Sequence, residues 1–483
     1  VSPHTEFPPE KSLDSPIVER IINDPAVIHE VRADSVVLAA RSELIVHRPP
    51  QAVVGPFDSA LAAVARPCGT LASLAAGAPV VGGANVAPGG PAASISDVEI
   101  WRLTDPQANA IDEARRLRGL APDTTLQTGA GAELCLPRIS PNHLSIVSPH
   151  FAGCPAGPPQ PTAPGADGAG FVAPLLAGRQ VRVVVIDTGY IEVSPPNAAL
   201  DARVTSLAGL RLDTNAEPPR WVPDPPDEIT TDANGRLHEI VGHGTFIAGL
   251  IAHLCPAAVI TSVGQRDEDV ILTGETAPEQ QRLYSSEIAL AHALLSHGNA
   301  DVVQLGFSFP TLDDYPSIPF TRAMQELTGP QAPRPGIAVV CPAGNESSAD
   351  PYWPAALPDV IGVAATNRRG RSRAPFSNWG PWLQCCARGV DVVSNYIYWT
   401  GPVEGDPIDE IETFAGWARW DGTSFAAPKV SAAIAGLVAA EAGLLPTAAF
   451  TRLLAGQTAI AVTNVTDQLP GQPAVTLPQL HIG

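Results

Sequence analysis

Four residues stand where chain elements end, and their types could together transfer an acyl group. Asp187 closes the apolar run VRVVVID and is followed by Thr188-Gly189. In an open parallel sheet, reactive groups gather beyond the carboxyl ends of the strands. A carboxylate buried there is costly unless it accepts hydrogen bonds, and a histidine would supply one. His243 stands in Gly242-His243-Gly244-Thr245, just ahead of an apolar helix. The helix dipole disfavours a cation at that end, so a neutral ring can act as proton acceptor. Ser424 follows Gly422-Thr423 and opens a helix of small residues, with Pro428 in its first turns. Its hydroxyl is a weak nucleophile until a base takes its proton. Asn345 closes the turn Pro342-Ala343-Gly344-Asn345. An amide there, with the Ser424 backbone N–H, could donate to a carbonyl oxygen that gains negative charge.

Each residue alone has a plainer reading: a strand-end turn carboxylate, a helix cap, an N-cap serine and a turn asparagine. In combination they run Asp, His, Asn, Ser, with gaps of 56, 102 and 79 residues. Such gaps place them on different strands and helices, as convergence on one pocket requires.

The elements that must carry them follow from the hydrophobic pattern. VRVVVID (181–187), AAVITSV (257–263), DVVQLGFSF (301–309), GIAVVCPAG (336–344) and DVIGVAATN (359–367) are strand runs. HGTFIAGLIAHL (243–254), SEIALAHALLSHG (286–298), SIPFTRAMQELTG (317–329) and SFAAPKVSAAIAGLVAAEAG (424–443) carry helices. Nearly continuous apolar strands alternating with helices predict an α/β fold with a mostly parallel sheet covered on both faces. Ahead of them, SVVLAA and SELIVHRP read as two strands, and ALAAVA and IDEARRL as helices. The expected organisation is a tether with a short helix over 1–34, a smaller α+β unit over 35–149, a Gly/Pro-rich linker over 150–175 and the large unit over 176–483.

Composition narrows the classes. The chain has 483 residues and a formal net charge of -20, which disfavours nucleic-acid binding. Its only lysines are Lys11 and Lys429. No run of eighteen apolar residues suggests a membrane span. VSPHTEFPPEKSLDS lacks the basic and apolar regions of a signal peptide, which leaves a cytoplasmic protein or a processed secreted form. Seven cysteines without a Cys-x-x-Cys pair read mostly as small buried thiols, with one or two disulfides left open.

The motifs resemble those of the subtilisin-like serine proteases. VVVIDTGY, HGTFIAG and GTSFAAP look like the family's aspartate, histidine and nucleophile motifs, and VVCPAGNES like its oxyanion region. The order Asp, His, Ser is also the subtilisin order. The resemblance covers about 181–460 and implies a three-layer fold and serine endopeptidase action on extended polypeptide. It implies that Asp187 orients His243, that His243 activates Ser424, and that Asn345 stabilises the oxyanion. Gly306, Phe307 and Ser308 would be the edge along which substrate adds as a strand. Ala343 and Gly344 would line the specificity pocket. FSNWG (376–380) matches a region that supports the fold in the family, and residues 35–147 weakly resemble a propeptide-like or accessory domain. No cofactor is implied. Asp213, Asp224, Asp227 and Asp232 could hold calcium as other family loops do, but they lack EF-hand spacing, and a solvated acidic loop is the preferred reading. Phe425 replaces a common methionine, Lys429 stands where the family often has histidine, and Pro342 is unusual in the turn.

Other enzyme classes fit less well. An aspartic protease needs two Asp-Thr/Ser-Gly sites, and only Asp187-Thr188-Gly189 occurs. His238 and His243 fall at i, i+5 rather than the i, i+4 of a zinc helix. The alternative to an active enzyme is a non-catalytic or latent protease-like binding module governed by its N-terminal domain.

Overall fold

A computed structural model describes residues 21–32, 35–49, 55–76, 95–145, 158–163, 179–192, 198–213, 220–224, 229, 231, 234–238, 240–265, 285–404 and 411–483. Most of the expected tether and linker, with Asp227 and Asp232, lies outside these residues.

The N-terminal unit contains β1 (Val27–Val31), β2 (Val36–His47), α1 (Pro56–Val64), β3 (Ala65–Thr70), α2 (Leu71–Ala76), β4 (Val98–Leu103), α3 (Ala110–Arg118), β5 (Thr124–Gln127), β6 (Glu133–Leu136) and β7 (Ile139–Ser145). The two short strands read from SVVLAA and SELIVHRP are one strand, β2, because Ala40 still pairs with Val27 of β1, the Arg41 N–H donates to the Ala26 carbonyl at 2.8 Å, and no turn residue interrupts it. The main sheet here is antiparallel. Alternation along it separates two faces. Leu44, Val46, Trp101 and Leu103 pack on α1 and α3, while Ile45, Val98 and Ile100 turn toward the large unit.

The large unit is built on β9 (Val181–Asp187), α4 (Ala198–Asp201), β10 (Val204–Asp213), β11 (Arg220–Asp224), α5 (His243–Leu254), β12 (Ala258–Gly264), β13 (Ser285–Ser286), α6 (Glu287–Ser296), β14 (Val302–Leu305), α7 (Ile318–Thr328), β15 (Ala338–Pro342), β16 (Ile361–Thr366), β17 (Cys385–Arg388), β18 (Val392–Gly401), β19 (Glu412–Trp420), α8 (Thr423–Ala440), α9 (Pro446–Leu454), β20 (Val462–Asp467) and β21 (Val475–Leu480). Its sheet has the order β11-β10-β12-β9-β14-β15-β16-β17-β21-β20. Only its two outermost pairs are antiparallel. Val181, Val183 and Val185 face α5, α8 and α9, whereas Val184 and Ile186 face α6 and α7. That is the three-layer arrangement the apolar strands predict.

Two features depart from the sequence reading, and one agrees with it in finer detail. The strand expected over 301–309 ends at Leu305, so Gly306, Phe307 and Ser308 lie beyond the ladder. Pro428 is the sixth residue of α8, within its first two turns as expected. Its missing N–H therefore leaves the Ser424 carbonyl without the usual i+4 donor. The units also interleave. β13 pairs with β7, and Gln160–Pro161 (β8), inside the expected linker, adds to the β18–β19 hairpin. α8 is long and apolar enough to cross a membrane by length and composition, but 89% of it is buried inside the fold. Six cysteines are free among the described residues.

The two units also meet through polar contacts. His143 Nδ1 lies 2.7 Å from Glu287, and His143 Nε2 accepts from the Leu312 N–H at 3.0 Å. Arg115 and Arg118 bind Asp313 at 2.7 and 2.9 Å, Arg32 binds Asp314 at 2.6 Å, and Arg322 binds Asp97 at 2.9 Å.

Candidate active site

Asp187 is the last residue of β9, and His243 is the first of α5. Both are fully buried. The His243 Nδ1 lies 2.8 Å from Asp187 Oδ1 and 2.9 Å from Oδ2. Oδ1 also accepts the Thr188 backbone N–H at 2.7 Å. Close packing makes this possible. A Cβ on Gly244 would lie 2.1 Å from the Gly189 carbonyl oxygen, so glycine is needed after His243 for the strand end and helix start to meet. Trp420 meets the imidazole edge-on at 5.7 Å, and Phe425 lies 5.4 Å away. These rings keep water from the imidazole. The sequence reads Phe425, inside the nucleophile motif, only as a replacement for methionine, and passes over Trp420, two residues ahead of the motif.

Ser424 is the second residue of α8 and is 3% exposed. Its hydroxyl points to the Gly306 carbonyl at 3.5 Å. His243 Nε2 is buried without a hydrogen-bond partner. The carboxylate–imidazole arm is thus in place, while the imidazole–hydroxyl arm is not made. Catalytic hydrogen bonds are often long or misaligned before substrate binds, and rotation of one serine side chain changes which acceptor it meets.

Asn345 follows Gly344, whose φ of 97° places the turn in the left-handed region that favours glycine. The Asn345 Oδ1 accepts the Thr423 N–H and the Thr423 hydroxyl, both at 2.9 Å. A backbone N–H can only donate, so the amide oxygen must face Thr423 and the NH2 end must face away. Thr423 Oγ1 in turn accepts from the Gly344 N–H at 3.2 Å. Thr423 is a site residue that the sequence did not single out; its place inside the Gly-Thr-Ser motif was the only signal.

One cleft is lined by Gly306, Phe307, Ser308, Pro342, Gly344, Asn345, Thr423 and Ser424. Ala343 is not among its walls; its methyl is buried in a cluster with Trp379 and Cys386. Phe307 reaches both the cleft and the core, where it packs on Phe320 at 6.1 Å. Val36, Leu38 and Leu144 of the N-terminal unit complete one side of the cleft. They cluster with Ile240, three residues before His243.

Glu346 also lines the cleft and is partly buried. Burial pushes its carboxyl up to about 8, against the opposing hydrogen bond from Asn378. The folded protein therefore holds a proton that the unfolded chain, with its ordinary carboxyl, releases near 4.5. The unfolded state binds fewer protons through that window, so stability falls as pH rises from about 4.5 to about 8 and then levels. Glu346→Gln is expected to raise the melting temperature at pH 8 and change it little at pH 4.5, a difference of a few kcal/mol at most. Thermal melts at both pH values check this; equal shifts would contradict it.

No group of three His, Cys, Asp or Glu side chains that could hold a metal ion occurs among the described residues. His238 pairs with Glu404 at 2.9 Å.

A family model described as the subtilase family (peptidase S8) matches residues 178–472. Subtilisin BL of Lederbergia lenta is 27% identical over 260 residues, covering 54% of this chain and 77% of that protein. An alkaline protease of Alkalihalobacillus alcalophilus is 28% identical over 264 residues, covering 54% of each chain. Among solved structures, fervidolysin from Fervidobacterium pennivorans, a keratinolytic enzyme related to subtilisin, aligns over 86% of this chain and 57% of its own at 18% identity, with a TM-score of 0.48.

Proposed function

The chain belongs to the subtilase family, and on that premise we propose that it is a serine endopeptidase that cleaves peptide bonds through an acyl-enzyme on Ser424. The observation that carries this reading is the buried Asp187–His243 pair, with Nδ1 held at 2.8 Å and Nε2 left without a hydrogen-bond partner. Asp187 fixes the tautomer with the proton on Nδ1, so Nε2 is the acceptor. As substrate enters, the Ser424 hydroxyl turns from Gly306 to His243 Nε2, gives up its proton and attacks the scissile carbonyl. The carbonyl oxygen becomes an oxyanion, which the Asn345 amide N–H and the Ser424 backbone N–H stabilise. The imidazolium then protonates the leaving amine, and water repeats the sequence to release the acid. Gly306–Ser308, outside any ladder, would take the substrate backbone as an added strand.

A fluorophosphonate probe is expected to label the full chain at Ser424, as read by peptide mass mapping, and not the Ser424→Ala variant. Absence of labelling in folded, unblocked protein would count heavily against the reading. Asn345→Ala is expected to lower kcat by about 10²–10³ with KM little changed, because its donor acts where charge develops. An unchanged kcat would remove Asn345 from the oxyanion role.

A second reading is favoured by one observation: Val36, Leu38 and Leu144 wall the cleft that holds Ser424. In it the N-terminal domain keeps the protease latent toward polypeptides, while small probes still reach the serine. Probe labelling without casein cleavage, followed by casein cleavage after the N-terminal domain is removed, would support it; prompt casein cleavage by the intact chain would dismiss it.

A further inference from the structure

Asn345 can only aim its amide if the turn that carries it is rigid, and that turn has few supports of its own. Gly344 has a left-handed backbone, and so has Ser347, with φ of 55°. The bulk of the support comes from Asn378, fully buried and 33 residues downstream of Asn345. Its Oδ1 accepts the backbone N–H groups of Glu346 and Ser348, at 3.0 and 2.9 Å. Its Nδ2 donates to the Ala343 carbonyl and to Glu346 Oε2, both at 2.9 Å. Its own backbone N–H donates to the Gly344 carbonyl at 3.0 Å. Four side-chain bonds and one backbone bond thus hold Ala343, Gly344, Glu346 and Ser348, which bracket Asn345 on both sides. The amide orientation is unambiguous, since two backbone donors face the oxygen and a backbone acceptor faces the nitrogen. A Cβ on Gly344 would meet Asn378 Nδ2 at 2.4 Å, so the fit excludes any other residue there.

We infer that Asn378 is a positioning residue for the oxyanion donor: it splints the turn Ala343–Ser348 and thereby sets the aim of the Asn345 amide. The inference rests on the assignment of Asn345 to the oxyanion role. Asn378 touches neither substrate nor Ser424, and its effect passes through Asn345. The raised carboxyl of Glu346 fits this picture, because a mostly protonated neighbour leaves the Asn378 amide free of a strong charge that would drag it from the turn.

The test uses the full chain and a small activated ester at pH 7. Asn378→Asp is isosteric but turns an acceptor toward the Ala343 carbonyl and Glu346 in place of a donor. It is expected to lower kcat by roughly 10–100-fold with KM within about threefold, part of the loss when the donor itself is deleted. In an Asn345→Ala background the same change is expected to cost less than about threefold, since both act on one interaction. Should Asn378→Asp melt too low to assay, Glu346→Gln is added, which gives the new carboxylate a donor at every pH where Glu346 offers one only while protonated. Recovery of kcat in that pair supports the splint. An Asn378→Asp enzyme with parental kcat overturns the inference. So does a full loss in the Asn345→Ala background, because the effect then bypasses Asn345. Parental kcat in Asn345→Ala alone would overturn the oxyanion assignment, and the splint with it, a result separable from the other two.

Discussion

Asp187→Asn should lower kcat by about 10⁴ while the protein folds and binds substrate normally, and the reason lies in which oxygen each neighbour holds. Asp187 Oδ1 accepts the Thr188 N–H at 2.7 Å, and a backbone donor must keep facing an oxygen. In the asparagine variant the amide oxygen takes that place, and the NH2 falls where Oδ2 stood, 2.9 Å from His243 Nδ1. Nδ1 keeps the retained oxygen at 2.8 Å but now also meets an N–H donor, which favours the tautomer whose bare Nδ1 accepts from the NH2 and whose proton sits on Nε2. That nitrogen then has no lone pair for the Ser424 proton. The loss should appear in kcat with KM little changed, since no substrate contact is altered. Fluorophosphonate labelling of Ser424 should slow by a similar factor, because it needs the same base. A variant within tenfold of the parent in kcat would mean that this carboxylate is not the partner that matters.

Much of the site was legible because its chemistry sits in short local motifs. Asp187 closes an apolar strand, His243 opens an apolar helix, and Ser424 opens a second helix, all three where the pattern of hydrophobic residues ends. Helix boundaries such as His243–Leu254 follow from an apolar run bounded by glycine and a cysteine at the end. What escaped the sequence is contact at long range. Thr423 grips Asn345 across 78 residues, and Asn378 grips the turn across 30 to 35. Their motifs, GTSFAAP and FSNWG, mark the stretches but say nothing of these contacts. The wall formed by Val36, Leu38 and Leu144 escaped for the same reason, since apolar residues on paired interior strands such as β2 and β7 look identical whether they cover a core or a cleft. Ala343 shows the converse. Ala343 still follows the extended course of β15, its N–H donating to the Val363 carbonyl at 3.0 Å, and side chains alternate along such a strand, so adjacency to Gly344 did not put its methyl in the pocket. The end of β14 at Leu305 rather than at 309 also has a physical cause. Beyond Leu305 the backbone must pass directly over the Asp187 carboxylate, and only a glycine can do that.

Gly306→Ala should therefore disable the enzyme nearly as fully as loss of Asp187, without replacing any catalytic side chain. A Cβ on Gly306 would lie 1.5 Å from Asp187 Oδ2, 2.6 Å from its Cγ and 3.3 Å from its Cβ. The backbones cannot part to make room. Gly306 N–H donates to the Ile186 carbonyl at 3.0 Å, and β14 pairs in parallel with β9 up to Leu305 beside Ile186. The carboxylate must swing instead, which breaks its contacts with His243 Nδ1 and with the Thr188 N–H. The expected outcome is a fall in kcat of about 10³–10⁴, as for a wrongly oriented imidazole, with a stability loss of about 1–3 kcal/mol from overpacking. Gly55→Ala makes the matched control: nothing lies within 4 Å of its Cβ position, and it stands ahead of α1, far along the chain from the site. Activity assays and thermal melts on both variants separate the effects. If Gly306→Ala keeps kcat within tenfold of the parent, the carboxylate has room to move without consequence, and the rigid line from Asp187 to His243 is not what the chemistry requires.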